Sequence, residues 1–452
     1  MDFPAWFVDY LTAPMLIPTI AIPHVIVAQF AVGGGIVLAD MVRRSYQEQR
    51  NDVLDFLHTV TRYFILITVV FGAVTGVGIW WTIGLTSPDA TSVLINLFSF
   101  VWATEWVMFL VEIVAAFAFY YLWDVLSPRE HVTLGWIYGI TAWFSLVLIT
   151  GITSFMLTSG SWEAGDGTWT AFFNPSFLPQ TLLRTGGSLA IAALGIGFFV
   201  SFYETSDRKD HVIVWISNWA VFGMVLIMAG GLWQVLVLPD HVLLNLIRAP
   251  ILIVMITLNF LLTVVVLGAL GSGIVSGSKW ITPPAAGLLL LAGMAAIASG
   301  EFIREGSRKP YLIRDYMYSP GVRVADVPKF REEGFTEHTP WLKRYLEQSN
   351  LTLASDTDEG NLDRDELIRA GRGIFRYHCA SCHASVGYNG IKPILEPWSR
   401  EMIMDTTKNL HRANPAMPPW FGNKREREAL GEYLIFLKKN STFGEVTHDP
   451  DR

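Results

Sequence analysis

Over the first 303 positions, apolar residues run in long blocks separated by short polar breaks. Eight blocks, at roughly 15–41, 60–85, 93–123, 131–158, 181–204, 212–238, 246–275 and 281–303, each reach the roughly 20 residues a helix needs to cross a bilayer core. The seventh and eighth are the purest, as in Ile251–Leu270 and Ala285–Ala298. The pattern changes near residue 304. Residues 304–362 are polar, hold Pro310, Pro320, Pro328 and Pro340, and show little apolar periodicity, which predicts an ordered strap packed on the membrane block rather than a free linker. Beyond residue 363 helical spacing returns, with Leu430, Tyr433, Leu434 and Leu437 on one face of a helix over Arg425–Lys439. The predicted fold class is all-α. About eight membrane helices over 1–303 are followed by the strap (304–362) and a small all-α soluble domain (363–452).

Charge placement sharpens the division. Residues 1–303 hold 10 Lys/Arg and 18 Asp/Glu, whereas the 149 residues that follow hold 23 and 22. The mean hydropathy is +0.38, which excludes a single soluble globule and a disordered chain. A net charge of −7 without a basic run excludes a nucleic-acid binder. Met1–Pro14 carries Asp2 and Asp9 and no basic residue, so it does not read as a cleavable signal peptide. The loops after helices 1, 3, 5 and 7 hold Arg43, Arg44, Arg50, Arg62, Arg129, Arg208, Lys209 and Lys279, while the alternate loops hold none. Arg184 and Arg248 are expected just inside the fifth and seventh helices. The positive-inside rule then places the N-terminus outside, and eight crossings return residues 304–452 to the same, periplasmic, side of a bacterial inner membrane.

The two cysteines lie in Cys379-Ala380-Ser381-Cys382-His383, a C-x-x-C-H attachment sequence for c-type haem. Each thiol forms a thioether, and His383 reaches the iron from the same turn. Downstream, Asn414-Pro415-Ala416-Met417-Pro418-Pro419-Trp420 fixes an extended loop able to offer the Met417 thioether as sixth ligand, with Met402, Met404 and His411 as alternatives. A thioredoxin-like redox motif would need a βαβ context, and a zinc site two further ligands. Helix, attachment motif, Met loop and helix together resemble a small class I cytochrome c over roughly 363–440.

Ionisable groups at membrane depth are functional candidates by default. His24 lies about ten residues into helix 1, roughly 15 Å deep. Glu105 and Glu112 are seven apart, hence on one face of helix 3. Glu301 and Glu305 are one turn apart at the end of helix 8. His58, His131 and His211 near the inner surface, and His241 near the outer, suit surface or capping roles. Arg304, Arg308 and Arg314 suit either a solvated juxtamembrane face or haem-propionate pairing.

These residues resemble subunit I of the cytochrome bd quinol oxidases over roughly 10–311. The likeness rests on Ala21-Ile22-Pro23-His24 with Gly33-Gly34-Gly35, and on Gly72-Ala73-Val74-Thr75-Gly76 with Trp80-Trp81. It also rests on Glu105 and Glu112 with Trp123-Asp124, on His131 and Ser145, and on Glu305-Gly306-Ser307-Arg308-Lys309-Pro310-Tyr311. The resemblance implies His24 and Glu305 as ligands of high-spin haems and the helix-3 glutamates as a proton path. The chain departs from that family where its low-spin haem is held: Arg184 stands at the His position and Pro250 at the Met position. The quinol loop shrinks to Pro239–Asn245, and the glutamates are seven rather than eight apart. The expected protein is a membrane redox chain with one covalent haem c and one or two haem b (or d) groups. It exchanges electrons with a periplasmic cytochrome or redox enzyme, and it pairs with membrane lipid and a second bd-like or other membrane subunit. Electron transfer between the donor, haem c and the membrane haems is the leading expectation, with reduction of oxygen or another small diatomic where a high-spin site stays open. A non-catalytic electron-transfer anchor and a quinone-reactive subunit are the alternatives.

Overall fold

The computed structural model describes residues 6–204, 206–276, 281–351, 353 and 362–439. It holds eight helices long and apolar enough to span a membrane: Ala13–Gln47, Asn51–Thr86, Ser99–Tyr121, Pro128–Phe155, Phe177–Ser201, Asp207–Val237, Pro250–Ser272 and Pro283–Ser307, called spans 1–8 below. The protein is a multi-pass membrane protein. By backbone contacts the chain divides into two compact units. One comprises Ile20–Gly78 and Leu94–Ser307, the other Met1–Thr19, Ile79–Val93 and Arg308–Arg452.

Local chemistry explains the breaks. Pro128 follows Ser127, whose hydroxyl and backbone form a capping box with Glu130 at the start of span 4. The third apolar block is two helices, Pro88–Leu97 and Ser99–Tyr121, parted at Phe98. The seventh block is likewise cut: Pro250 begins span 7, and the short amphipathic helix Asp240–Arg248 precedes it. Arg248 therefore ends that short helix and is not inside span 7, a correction to the sequence reading. The compressed loop Pro239–Asn245 is mostly this helix.

Three consecutive glycines in span 1 set the packing of the membrane unit. A Cβ at Gly33 would stand 1.9 Å from the Ser188 carbonyl oxygen of span 5, one at Gly34 2.3 Å from the Phe64 ring of span 2, and one at Gly35 2.4 Å from the Tyr138 ring of span 4. One glycine run thus admits a different neighbour at each step. His131 is fully buried between the rings of Phe119 and Trp123. It bonds the Phe119 carbonyl through Nε2 (3.1 Å) and the Tyr46 hydroxyl through Nδ1 (3.0 Å). His58 stacks on Trp123 beside it. His131 is a tie between spans 1, 3 and 4 rather than a surface group.

In the other unit, helices Arg364–His378 and Lys424–Lys439 cross in backbone contact, because a Cβ at Gly371 would stand 2.1 Å from the Ala429 carbonyl oxygen. The described residues of the strap form a hairpin of Tyr311–Ile313 with Met317–Tyr318 and helices Val327–Glu333 and Pro340–Gln348. Its Phe335, Trp341, Leu342 and Leu346 share one core with Ile374, Phe375, Leu430 and Tyr433. The buried Glu426 carboxyl fastens it, accepting from the Thr336 amide (2.8 Å), the Thr336 hydroxyl (2.5 Å) and the Phe335 amide (3.3 Å). The segment before span 1 joins the same unit: Ser385 Oγ donates to Asp9 Oδ1 (2.8 Å), and the Val386 amide to the Asp9 carbonyl (2.8 Å).

Candidate haem-binding sites

The helix Arg364–His378, opened by a capping box of Asp363 with Glu366, runs directly into the attachment motif. The Cys382 and His383 amides both donate to the Cys379 carbonyl (3.0 and 2.8 Å), so the two thiols and the imidazole stand on one helical turn. Both cysteines are free. Burial pushes the Cys379 thiol up to about 12, the opposite of the depressed thiol of a redox C-x-x-C. Among the described residues no three His, Cys, Asp or Glu side chains cluster as a metal-ion site.

The decisive contact is at His383. Its Nδ1 lies 3.0 Å from the Asn389 carbonyl oxygen. A carbonyl can only accept, so Nδ1 carries the proton and Nε2 keeps its lone pair for iron. Burial also holds this imidazole below the usual histidine range, in the neutral form a metal requires. Asn389, absent from the sequence reading, closes the loop further by donating its side-chain amide to the Cys382 carbonyl (2.7 Å). These groups fit a covalent haem.

Of the four candidate sixth ligands, Met402 is exposed. Met404 packs its sulfur against Gly431 of the C-terminal helix. His411 donates Nδ1 to the Met417 carbonyl (3.0 Å). Met417 itself is half-buried, in a turn closed by its amide on the Asn414 carbonyl (2.9 Å).

In the membrane unit His24 repeats the logic of His383. Its Nδ1 lies 3.1 Å from both the Gly72 carbonyl oxygen and Thr75 Oγ1 of span 2. The Thr75 hydroxyl already donates to the Phe71 carbonyl (2.8 Å), so His24 Nδ1 is again the donor and Nε2 keeps its lone pair. Gly76 lies under the ring, where a Cβ would stand 3.1 Å from His24 Cε1. Span 2 is locally a π-helix over Leu66–Phe71, immediately before this seat.

The two glutamates of span 3 each meet span 4. Ser145 donates to Glu105 Oε1 (2.9 Å). The buried Tyr138 hydroxyl donates to the Ala31 carbonyl of span 1 (3.4 Å) and lies beside Glu112 and Thr68 of span 2. The sequence reading missed Tyr138, though a signal was present: Tyr138 and Ser145 are seven apart, mirroring Glu105 and Glu112 on an antiparallel neighbour.

At the end of span 8, Glu301 is held by Arg304 Nε (2.8 Å) and by Arg184 Nη2 of span 5 (3.7 Å). Glu301 is thereby occupied, and Glu305 lies half-buried one turn on. Arg304, partly exposed, is part of this triad. Arg308 is buried, with Nη1 donating to the Leu312 carbonyl (3.2 Å). Arg314 pairs with Asp315 (2.9 Å). Arg184 is an ion-pair partner and Pro250 has no side-chain donor, so neither fits a low-spin haem iron.

Residues 15–239 match the family model of cytochrome bd terminal oxidase subunit I, and residues 366–434 match that of cytochrome c oxidase, cbb3-type, subunit III. No curated protein matches the chain. A solved bd oxidase from Geobacillus thermodenitrificans is 18% identical, with a TM-score of 0.54, over 67% of this chain and 88% of that one. At that identity the likeness shows the fold alone. Together the two matches support a membrane redox, electron-transfer role: the membrane segment is similar to cytochrome bd subunit I, and the C-terminal segment is similar to a cytochrome c subunit. The second implies haem c, and the first haem b or d.

Proposed function

We propose that the protein passes electrons between a periplasmic donor, a haem c on Cys379 and Cys382, and high-spin haem b or d sites near the outer membrane face, with oxygen as terminal acceptor. The observation that carries this reading is the shared tautomer of His383 and His24, each pinned by a backbone carbonyl so that Nε2 faces outward as a ligand. When bound, haem supplies one-electron redox chemistry and, where an axial position stays open, a place for a small diatomic. His383 and Met417 would hold the iron of the c domain, and His24 and Glu305 the irons of the membrane domain. Arg308 would sit by a propionate. Glu105 and Glu112 would hold protons in the membrane, with Ser145 and Tyr138 as their hydroxyl relays. The charge pattern of the loops supports a periplasmic N-terminus and c domain. A second bd-like or other membrane subunit would complete the assembly in the lipid.

One observation favours a second reading, a non-catalytic electron-transfer subunit: Arg184 pairs with Glu301 where the family places a haem ligand. A pyridine haemochrome assay with reduced-minus-oxidised and carbon-monoxide difference spectra separates the two. One haem c with one or two haem b or d groups and a carbon-monoxide shift supports the oxidase. Haem c alone, or b haems blind to carbon monoxide, supports the subunit.

A further inference from the structure

The cytochrome unit carries an open cleft of about 520 Å³ whose walls include Arg331, Lys408, Arg412, Lys424 and Arg427, and no acidic residue. Such a concentration runs against the chain, whose net charge is −7. Five cations facing one cleft repel one another, which a monomer tolerates only where a counter-charge arrives. Lys424 and Glu428 pair only loosely, 3.9 Å apart at an exposed position. The buried Glu426 carboxylate lies behind the wall, accepting from the Asn423 amide (2.9 Å) as well as from the strap.

We infer that this cleft is the docking site for the acidic face of a soluble redox protein, seated against the Met417 loop. The inference rests on the electron-exchange reading above and names the partner's chemistry. The cleft is far larger than a single oxyanion and suits a row of carboxylates. Its walls, residues 408–412 and 419–427, flank Met417 in the chain on both sides, and His411 in the wall bonds the Met417 carbonyl. Arg331 comes from the strap and donates Nε to the Trp420 carbonyl (3.1 Å). It lies outside the segment matched by the cytochrome c family, so one wall of the cleft comes from the strap. Charges at such a rim steer encounter and set its salt dependence.

The test uses the detergent-solubilised holoprotein and a short fluorescein-labelled poly-L-glutamate, followed by anisotropy at low and high salt. Lys408→Glu with Arg412→Glu should weaken binding about tenfold and flatten the salt dependence. Lys329→Glu with Arg344→Glu makes the same change in net charge outside the cleft and should leave binding within about twofold. Equal weakening by both pairs, or by neither, overturns the inference. Displacement of the peptide by submillimolar inorganic phosphate, or by phosphatidylglycerol in the micelle, makes the cleft a small-anion or lipid-headgroup site and also overturns it. An unchanged c-type α band in both variant pairs confirms that each is folded. Ascorbate reduction of that band distinguishes the two levels. If it fails, the electron-transfer reading fails whatever the cleft binds; if it succeeds with unselective binding, only the docking site is lost.

Discussion

A histidine can ligate iron only through a nitrogen without a proton, and hydrogen bonding decides which nitrogen that is. The structure sorts its histidines on this ground. His131 uses both nitrogens within the protein, whereas His24 and His383 each commit Nδ1 alone. The seat of His24 depends on the missing side chain at Gly76, 3.1 Å below the ring. Gly76→Val should tilt the imidazole and remove most of the non-covalent haem absorbance while leaving the c-type α band intact. A normal haem b or d signal in purified Gly76→Val would unseat His24 as a ligand. His378 is the opposite kind of residue. It is buried among Phe335, Trp420 and Phe421 with neither ring nitrogen hydrogen-bonded, and burial pushes it down to about 3. Between that value and the unfolded value of about 6.5, the unfolded chain binds the extra proton, so stability falls as pH falls through this window. At pH 4.5 the loss is roughly 3 kcal/mol relative to neutral pH. His378→Phe should flatten the dependence of c-domain melting, followed at the Soret band, between pH 7.5 and 4.5. An unchanged slope would show that the imidazole is solvated or partnered.

Elements are fixed here by small residues and by proline. At Gly33 the obstacle is the backbone of span 5, which cannot swing aside as a side chain can. Gly33→Ala should therefore abolish the monodisperse detergent-solubilised protein. Gly84→Ala, at a helical position with no atom within 4 Å of the added Cβ, should leave yield unchanged or slightly raised. Size-exclusion profiles of the two variants decide it, and a well-folded Gly33→Ala would mean that the helices re-space. The spans were legible in the sequence because twenty apolar residues in a row have few other fates. Their breaks were less so. Pro250 was visible, but whether Arg248 lies in a span or before it depends on the amphipathic turn Asp240–Arg248, whose apolar side reads as continuation of the block. The haem c motif was legible because its chemistry is contiguous in the chain. Tyr138, Asn389 and the Arg184–Glu301 pair were not, because each is defined by a partner on another element. The strap's place in the cytochrome core was hidden as well: Phe335 and Trp341 stand in polar surroundings with no period to announce them.

At the scale of the whole chain, the two units have separate hydrophobic cores. One is built from spans 1–8, and the other from the strap with the two crossed helices of the c domain. Cofactor sites buried in separate cores should load separately, because losing a haem removes contacts only from the core that surrounds it. Cys379→Ala with Cys382→Ala should then eliminate the covalent haem and the c-type α band while retaining the full non-covalent haem absorbance. His24→Ala should do the reverse. The measurement is the c-to-b (or d) ratio by pyridine haemochrome in each purified variant. Joint loss of both haem types in the cysteine variant, with the membrane helices still folded by circular dichroism, would show that the c domain is required to load the membrane sites. The intact chain adds one thing that neither core supplies alone. Covalent linkage keeps the haem c domain at high effective concentration with respect to the membrane sites. Reduction of the membrane haems through haem c should accordingly be independent of protein concentration across a dilution series, and a rate that falls with dilution would mean that electrons pass between molecules instead.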